Sequence, residues 1–384
     1  MIYKRKNREE IESLTLAPYA LKSAESRGRL FPERESSTRT AFERDRDRII
    51  HTTAFRRLEY KTQVFVFHEG DHYRTRLTHT IEVAQLGKAL ARGLGGNHHL
   101  AEAICLAHDL GHPPFGHAGE HILDQLMVDH GGFNHNTQSY RVVTQLERRY
   151  SGFKGLNLTY ETRSGMIKHE TSYDKSDAKG YEPERRASLE AQIANLADEI
   201  AYNAHDLDDG LRAALFSVHD LDELVLWQEL KDAVGWKSGH EFTSIIRHNI
   251  IRELIGQSIS DVLAETNHNL ETNGIDSPDK LQNQPENVVG YSEEFGEKIK
   301  ALKTFLFNRM YRHYRLMRMQ TKAEHFVSEI FQAYLKEPRM LPQSVQDKLD
   351  EAPLPRLITD YIAGMTDRYA LEEWQKLFIP YHQA

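Results

Sequence analysis

The chain has 384 residues, of which 39% are hydrophobic and 28% charged, and its net charge is −8. This composition is typical of a soluble globular protein. No stretch approaches the roughly 18 consecutive apolar residues of a membrane span, and the charged N-terminus lacks the apolar core of a signal peptide. Because the single cysteine, Cys105, cannot form an intramolecular disulfide, we expect a cytoplasmic protein and interpret Cys105 as a small buried apolar residue.

The first 60 residues differ in charge from the rest, with 14 Lys and Arg against 10 Asp and Glu. Seven arginines cluster there, namely Arg27, Arg29, Arg34, Arg39, Arg44, Arg46 and Arg48. Two interpretations stay open: a salt-bridged surface, which we favour, or an arm that contacts phosphate or single-stranded nucleic acid. The acidic net charge argues against extensive wrapping of nucleic acid, and no membrane partner is expected.

Apolar residues at helical spacing predict an almost entirely helical chain. Val83, Leu86, Leu90 and Leu94 predict a helix over 77–94. Further helices are predicted over 98–110, 115–130, 136–150 and 186–215. The segment 62–67 could form one short strand or ribbon. Polar composition predicts loops at 169–186 and, as a long insertion, at 264–292.

The most informative segment is 108–117, which reads HDLGHPPFGH. The adjacent imidazole and carboxylate of His108 and Asp109 can both bind one divalent metal ion. Two prolines prevent the preceding helix from continuing, so the turn brings His112 and His117 close to this pair. A metal surrounded by proton donors is what a hydrolase needs to attack phosphate.

The His-Asp dipeptide is weak evidence by itself, because it occurs twice more, beginning at His205 and His219. The surrounding sequence strengthens the interpretation of His108 and Asp109 as metal ligands. His79 lies upstream on the inward face of a predicted helix, and Asp198 lies downstream on another. From Asp198, acidic residues and a tyrosine recur at helical spacing through position 209. By periodicity alone this stripe is a solvated acidic face, whereas flanking alanines and the aromatic favour a pocket.

Five sequence motifs occur in the same order as in a known family. They are RDRDRIIHTTAFRRLEYKTQV from residue 44, RLTHT from 76, the 108–120 segment, FNHN from 133 and LADEIAYNAHDLDDGL from 196. Together they resemble the deoxyguanosine triphosphate triphosphohydrolase family of the HD superfamily, in its shorter bacterial form. The resemblance extends from about residue 28 to at least Tyr314. It implies an all-α HD-domain fold with additional helices and at most a short β ribbon. It also implies a single unit over 1–384, with an HD core at about 60–215 and a helical part at about 216–384.

The resemblance also implies roles for individual residues. Four would bind the metal ion: His79, His108, Asp109 and Asp198. His117 and Glu120 would be catalytic, and His135 would lie beside the phosphates as a further catalytic residue. His112 is a fourth catalytic candidate, because the loop holds it near the metal as a proton donor. Five would bind substrate: Lys303 at phosphate, Gln63 and Asp206 at the 3′-hydroxyl, and Tyr202 and Tyr311 against the sugar. Arg76 is expected at phosphate on separate grounds, because it lies one helical turn before His79 and its planar guanidinium suits a phosphate. The ligand types suit Mn, Fe, Ni, Co or Zn better than Mg and do not select among them.

The activity implied is hydrolysis of a deoxynucleoside triphosphate (dNTP) to deoxynucleoside and inorganic triphosphate. Two alternatives stay open: another HD phosphohydrolase, acting as a nucleotide phosphomonoesterase or phosphodiesterase, and a dNTP-sensing regulatory protein with little turnover. The presence of every predicted ligand and of the His117–Glu120 pair disfavours the regulatory alternative. The resemblance further implies a homo-oligomer, with a hexamer favoured, and activation by an allosteric dNTP.

Overall fold

The computed structural model describes residues 2–63, 74–169 and 180–380. Within these ranges the regular secondary structure is helical, and β pairing is limited to isolated bridges such as Thr62 with Thr75. The predicted all-α fold is therefore confirmed. Of the predicted strand at 62–67, only the first two residues are described, and 64–67 lie outside the described residues. Most of the predicted 169–186 loop also lies outside them.

The helices of the described residues are numbered in chain order. They are α1 (Arg5–Thr15), α2 (Ala41–Ile50), α3 (Thr53–Arg57), α4 (Arg76–Gly93), α5 (His98–Ala107), α6 (Gly116–Leu126), α7 (His135–Arg141), α8 (Tyr160–Ile167), α9 (Leu189–Arg212), α10 (Val225–Val234), α11 (Ser244–Thr272), α12 (Pro278–Gln282), α13 (Glu293–Leu306), α14 (Tyr314–Lys336), α15 (Gln343–Gln346), α16 (Leu354–Ala363) and α17 (Asp367–Phe378). Single π-helical turns follow α7 and α13. None of these helices is both long and apolar enough to cross a membrane.

The chain forms two compact units, each built from separated segments. Unit 1 contains Met1–Ile49, His79–Leu106 and Asn157–His313, and unit 2 contains Ile50–Thr78, Ala107–Leu156 and Tyr314–Ala384. Each unit therefore depends on contacts between residues that are distant in sequence.

The strongest periodic patterns predicted their helices well. α4 and α9 match the predicted helices at 77–94 and 186–215. The Ser188 side chain caps α9 by accepting a hydrogen bond from the amide of Ala191. By contrast, α5 ends at Ala107, three residues earlier than predicted, so His108 lies just beyond the helix rather than on it.

The predicted insertion at 264–292 is wrong in its first part, because α11 continues through Thr272 and α12 follows at Pro278–Gln282. Val262, Thr266 and Leu270 are buried at intervals of four residues. This inward stripe holds the helix to its unit, and the many polar residues beside it concealed the pattern in the sequence.

Unit 1 is centred on α9, which packs against α8, α11 and α13, while α10 packs against α11 and α13. Small residues allow close approach between α4, α5 and α9. A Cβ added to Gly87 would lie 2.6 Å from Cys105 Sγ and 3.8 Å from Ala197 Cβ. Cys105 is buried as predicted, and burial, reinforced by the charges of Asp198 and Glu102, raises the pKa of its thiol far above the ordinary value. Both the burial and the raised pKa favour the protonated thiol over a nucleophilic thiolate at Cys105.

The N-terminal arginines of unit 1 are largely engaged in ion pairs. Glu33 lies within 3.4 Å of guanidinium nitrogens of Arg29, Arg44 and Arg48. Arg29 also pairs with the fully buried Asp45 at 2.6 Å. These contacts support the salt-bridged interpretation over the nucleic-acid-binding arm, because the cations already have carboxylate partners.

Unit 2 is centred on α14, which packs against α6, α16 and α17. Its core contains Leu123 and Met127 at the end of α6, Ile330 of α14 and Ile358 of α16, all fully buried. α6 begins directly after the 108–115 loop. The packing of α6 against α14 therefore fixes the position of the end of this loop.

Candidate functional site

In unit 1, two predicted metal ligands meet although they are 119 residues apart. His79 Nε2, on α4, lies 2.9 Å from Asp198 Oδ1, on α9. His79 is 1% exposed. The other carboxylate oxygen of Asp198 lies 3.7 Å from His169 Nε2, so Asp198 is contacted by imidazoles on both sides.

The opposite edge of the His79 ring contacts a second histidine. His79 Nδ1 lies 3.1 Å from His205 Nδ1, with the two rings edge-on, and His205 Nε2 contacts the carboxylate of Glu82. The sequence interpretation missed both partners and treated His205 as a background occurrence of the dipeptide. A signal was available, because His205 lies two helical turns after Asp198 and Glu82 lies one turn after His79.

These four side chains allow a test of whether the site fits a cation. Three successive contacts join Glu82, His205, His79 and Asp198. Two neutral imidazoles supply only two N–H groups, so one of the three contacts has no hydrogen to share. If His205 donates to Glu82 and His79 Nδ1 donates to His205, the lone pair of His79 Nε2 faces the Asp198 carboxylate. Adjacent ligands of an ion at about 2.1 Å lie roughly 3 Å apart. The 2.9 Å separation of these two acceptors therefore fits a divalent metal.

A second group in unit 1 contains three predicted sugar-binding residues. The Tyr311 hydroxyl donates to Asp206 Oδ2 at 2.5 Å and also contacts the Tyr202 hydroxyl, with the two rings nearly parallel. Burial, followed by the nearby charge of Asp206, raises the pKa of Tyr311 well above its ordinary value. Asp206 and Asp209 are 1% and 2% exposed, so the solvated-face interpretation is wrong for both.

Two other predicted substrate-binding residues, Lys303 and Gln63, differ in what surrounds them. Lys303 Nζ, on α13, lies 3.5 Å from Glu199 Oε2, on α9. Gln63 is buried, and its Oε1 atom has no hydrogen-bond partner within the described part of the chain. Contact of either residue with a substrate stays a prediction.

In unit 2, His108 and Asp109 follow α5 directly. His108 Nε2 lies 3.4 Å from Asp109 Oδ1, a separation that also suits neighbouring ligands of one ion. Asp109 Oδ2 accepts a 2.9 Å hydrogen bond from Arg76 Nη1, and all three side chains are buried. Arg76, predicted to bind phosphate, thus uses one donor to orient a predicted ligand, and its guanidinium has four more.

The four predicted catalytic residues lie together in unit 2. The rings of His112 and His135 stack with centroids 3.9 Å apart, and His117 meets His112 edge-on. Glu120, on α6, accepts hydrogen bonds from Nδ1 of His135 at 2.8 Å and from Nδ1 of His117 at 3.2 Å. The sequence interpretation paired Glu120 with His117 alone, whereas the carboxylate is shared.

Electrostatics sets the protonation of this cluster. Burial alone would raise the pKa of Glu120, but His135 and His117 hold it well below its ordinary value, so Glu120 is anionic. Burial, with the nearby Arg76 and His135, lowers the pKa of His112 well below its ordinary value, so His112 is neutral. With His117 Nδ1 donating to Glu120, its Nε2 is left to exchange a proton, and this side chain is 55% exposed.

Ser139, on α7, anchors the start of the 108–115 loop. Its hydroxyl donates to the His108 carbonyl at 2.6 Å and accepts from the Gly111 amide at 2.8 Å. A side chain at position 111 would enter this contact, because an added Cβ would lie 2.1 Å from the Ser139 amide nitrogen.

Two buried charged residues anchor the rest of that loop. Lys61 Nζ donates to the His112 carbonyl at 2.5 Å, and Asp367 accepts from the Phe115 amide at 2.8 Å. Phe115 has a left-handed backbone, with φ of 64°, directly before α6. The sequence interpretation missed Ser139, Lys61 and Asp367, because contacts across 28, 51 and 252 positions leave no local signal.

The comparisons with known proteins concern nearly the whole chain. Residues 76–203 match the HD domain family, and residues 289–376 match the family described as a phosphohydrolase-associated domain. The chain is 49% identical over 97% of both lengths to a "Deoxyguanosinetriphosphate triphosphohydrolase-like protein" of Geobacter sulfurreducens. Proteins with the same description from Geobacter metallireducens and Ralstonia pickettii are 50% and 47% identical, over 97% and 94% of both lengths. The HD match contains all four predicted ligands and the predicted catalytic cluster.

Gly111→Ala tests the loop anchor. We expect the free energy of unfolding to fall by about 1–3 kcal/mol, because the added methyl group overlaps backbone atoms of α7. The matched control is Gly256→Ala, on an exposed face of α11 with no atom within 4 Å, which should stabilise the helix by about 1 kcal/mol. Thermal unfolding followed by circular dichroism measures both. A Gly111→Ala variant as stable as the wild type would contradict the close contact.

Proposed function

The chain belongs to the deoxyguanosinetriphosphate triphosphohydrolase-like family of HD-domain proteins, and we propose that it hydrolyses dNTPs to deoxynucleoside and inorganic triphosphate. The coarser activity, that of an HD-type hydrolase, rests on this family membership. The observation that carries the finer proposal is the unit 2 cluster. There the anionic Glu120 orients the exposed His117 imidazole, in the same unit as the buried His108–Asp109 pair.

We propose that His79, Asp198, His108 and Asp109 hold one divalent ion, chosen from Mn, Mg, Fe, Co, Ni and Zn. Support comes from the family resemblance and from the ligand-type separations of 2.9 Å within the first pair and 3.4 Å within the second. When bound, such an ion polarises the phosphoryl group and lowers the pKa of water.

The proposed proton donor is His117. Addition of water to the α-phosphorus breaks its bond to the 5′-oxygen, which must gain a proton to leave as an alcohol. His117 Nε2 can supply that proton, and Glu120 orients the ring by accepting a hydrogen bond from Nδ1 on its opposite side. Arg76 and Lys303 would offset negative charge on the triphosphate.

The proposed sugar contacts are the Tyr202–Asp206–Tyr311 group and Gln63. Asp206 would accept from the 3′-hydroxyl while a tyrosine ring packs against C2′. A ribose hydroxyl would then meet the ring and be buried without a partner, which costs about 1–3 kcal/mol. This arrangement would favour deoxynucleotides through the sugar rather than the base.

One assay separates the proposed function from its alternatives. The metal-loaded full chain is incubated with each dNTP, alone and in mixtures, and the products are resolved by anion exchange. Inorganic triphosphate supports the proposal, whereas orthophosphate, or activity only on cyclic nucleotides, would identify another HD phosphohydrolase. Binding without turnover would identify a sensing protein. Activity only in mixtures would support allosteric activation, and light scattering would test the hexamer that the resemblance implies.

Asp198→Asn should lose bound metal, because an amide is an uncharged and weaker ligand, whereas Asp206→Asn should retain metal and weaken substrate binding. Both residues lie on α9, which makes them matched variants. Elemental analysis after gel filtration measures the metal, and circular dichroism checks the fold. Loss of metal from Asp206→Asn but not from Asp198→Asn would reverse the assignment.

His117→Ala should lower kcat by about 10²–10⁴-fold, with metal content unchanged, because a proton donor is removed. Glu120→Ala should have a comparable effect, and the double variant should lose less than the product of the two. His121→Ala, an exposed histidine on the same helix, is the control and should retain activity. Fully multiplicative losses would show that His117 and Glu120 act independently.

Tyr311→Ala should reduce the ratio of kcat/KM for dGTP over GTP by about 10–100-fold, as expected from 1–3 kcal/mol of steric and polar discrimination. Tyr202→Ala should act in the same direction. Tyr311→Phe keeps the ring and should keep most of the ratio. If neither alanine variant changes the ratio, sugar selection must come from other residues.

A further inference from the structure

We infer that His205 and Glu82 are positioning residues that hold His79 in the tautomer able to bind metal. The inference rests on the proposed function only in taking His79 as a metal ligand. It assigns a role to two side chains that neither the motif nor the proposed reaction uses.

The geometry places the three side chains in series within unit 1. Glu82 and His79 lie one turn apart on α4, and His205 reaches them from α9. His205 Nε2 contacts the Glu82 carboxylate, and His205 Nδ1 lies 3.1 Å from His79 Nδ1. His79 Nε2 then points to Asp198 Oδ1, at 2.9 Å. Both edges of each imidazole are thus in contact with a polar atom.

The carboxylate at the end of the series decides where the protons lie. A carboxylate only accepts hydrogen bonds, so a neutral His205 carries its proton on Nε2 and presents a lone pair at Nδ1. That lone pair accepts from His79 Nδ1–H, which leaves His79 Nε2 unprotonated and directed at Asp198. Metal binding by imidazole requires this unprotonated nitrogen.

The opposite arrangement is unfavourable. If His79 carried its proton on Nε2, its Nδ1 would accept from Nδ1–H of a neutral His205, and the lone pair of His205 Nε2 would then face the Glu82 carboxylate. Two acceptors would then be in contact with nothing positive between them. Glu82 therefore selects the metal-binding tautomer of His79 through His205.

Burial determines how much each residue contributes. The side chains of His205 and His79 are 3% and 2% exposed, so water cannot readily replace the His205 acceptor. The Glu82 side chain is 42% exposed, so water can take over part of its role. Loss of His205 should weaken metal binding more than loss of Glu82.

The test compares metal affinity in variants of the full chain, measured by competition with a chromophoric chelator for Zn²⁺ or Mn²⁺. His205→Ala should bind about 10–100-fold more weakly, as is typical when the hydrogen-bond partner of a metal-bound histidine is removed. His205→Asn keeps an acceptor near the Nδ1 position and should restore most of the affinity. His219→Ala, an exposed histidine in the other His-Asp dipeptide, is the matched control and should bind as the wild type does.

A second pair of variants covers the case in which His205→Ala does not fold. Glu82→Ala should weaken metal binding by a smaller factor, whereas Glu82→Gln, whose amide oxygen still accepts from His205, should not. In a chain that hydrolyses dNTPs, His205→Ala should also raise the metal concentration needed for the half-maximal rate.

The outcomes separate this inference from the proposed function. Wild-type affinity in folded His205→Ala, or in both Glu82 variants, would overturn the positioning role. Equal weakening in His205→Ala and His205→Asn would also overturn it, because the acceptor would not matter. A wild-type chain that binds no metal would overturn the inference together with the metal site. A chain that binds metal with the expected pattern but hydrolyses no dNTP would support the inference and reject the proposed function.

Discussion

The hydrogen bonds that hold the backbone of the 108–115 loop are the constraint on which the unit 2 site depends. The loop carries His108 and Asp109, yet it follows the end of α5 and has no helix of its own. Ser139 binds it at its start and Asp367 at its end. Both anchors bind backbone atoms, so they fix the path of the loop without occupying its side chains.

The buried ionisable groups near the loop have pKa values shifted in opposite directions. Burial lowers the pKa of Lys61 to about 7 and raises the pKa of Asp367. In both residues burial disfavours the charged form of the side chain. Glu120 is also largely buried, but two histidines keep it anionic. A single fixed negative charge between imidazoles is well suited to orient them, because each must direct an N–H toward it.

In unit 1 a different carboxylate orients a histidine in the same way. Glu82, rather than Glu120, sets the direction of an N–H, and the effect passes through His205 to His79. In both units the carboxylate of a glutamate contacts one nitrogen of a histidine and so fixes which way the N–H of that ring points.

The sequence by itself determined the helical class, the extents of α4 and α9, and the family, because apolar periodicity and short motifs are local properties. It did not reveal the continuation of α11, the loop anchors or the His205–Glu82 contact. Each of these depends on which residues lie opposite one another after folding. Only the tertiary structure decided that Tyr311 donates to Asp206, 105 residues away, since no local pattern specifies such a partner.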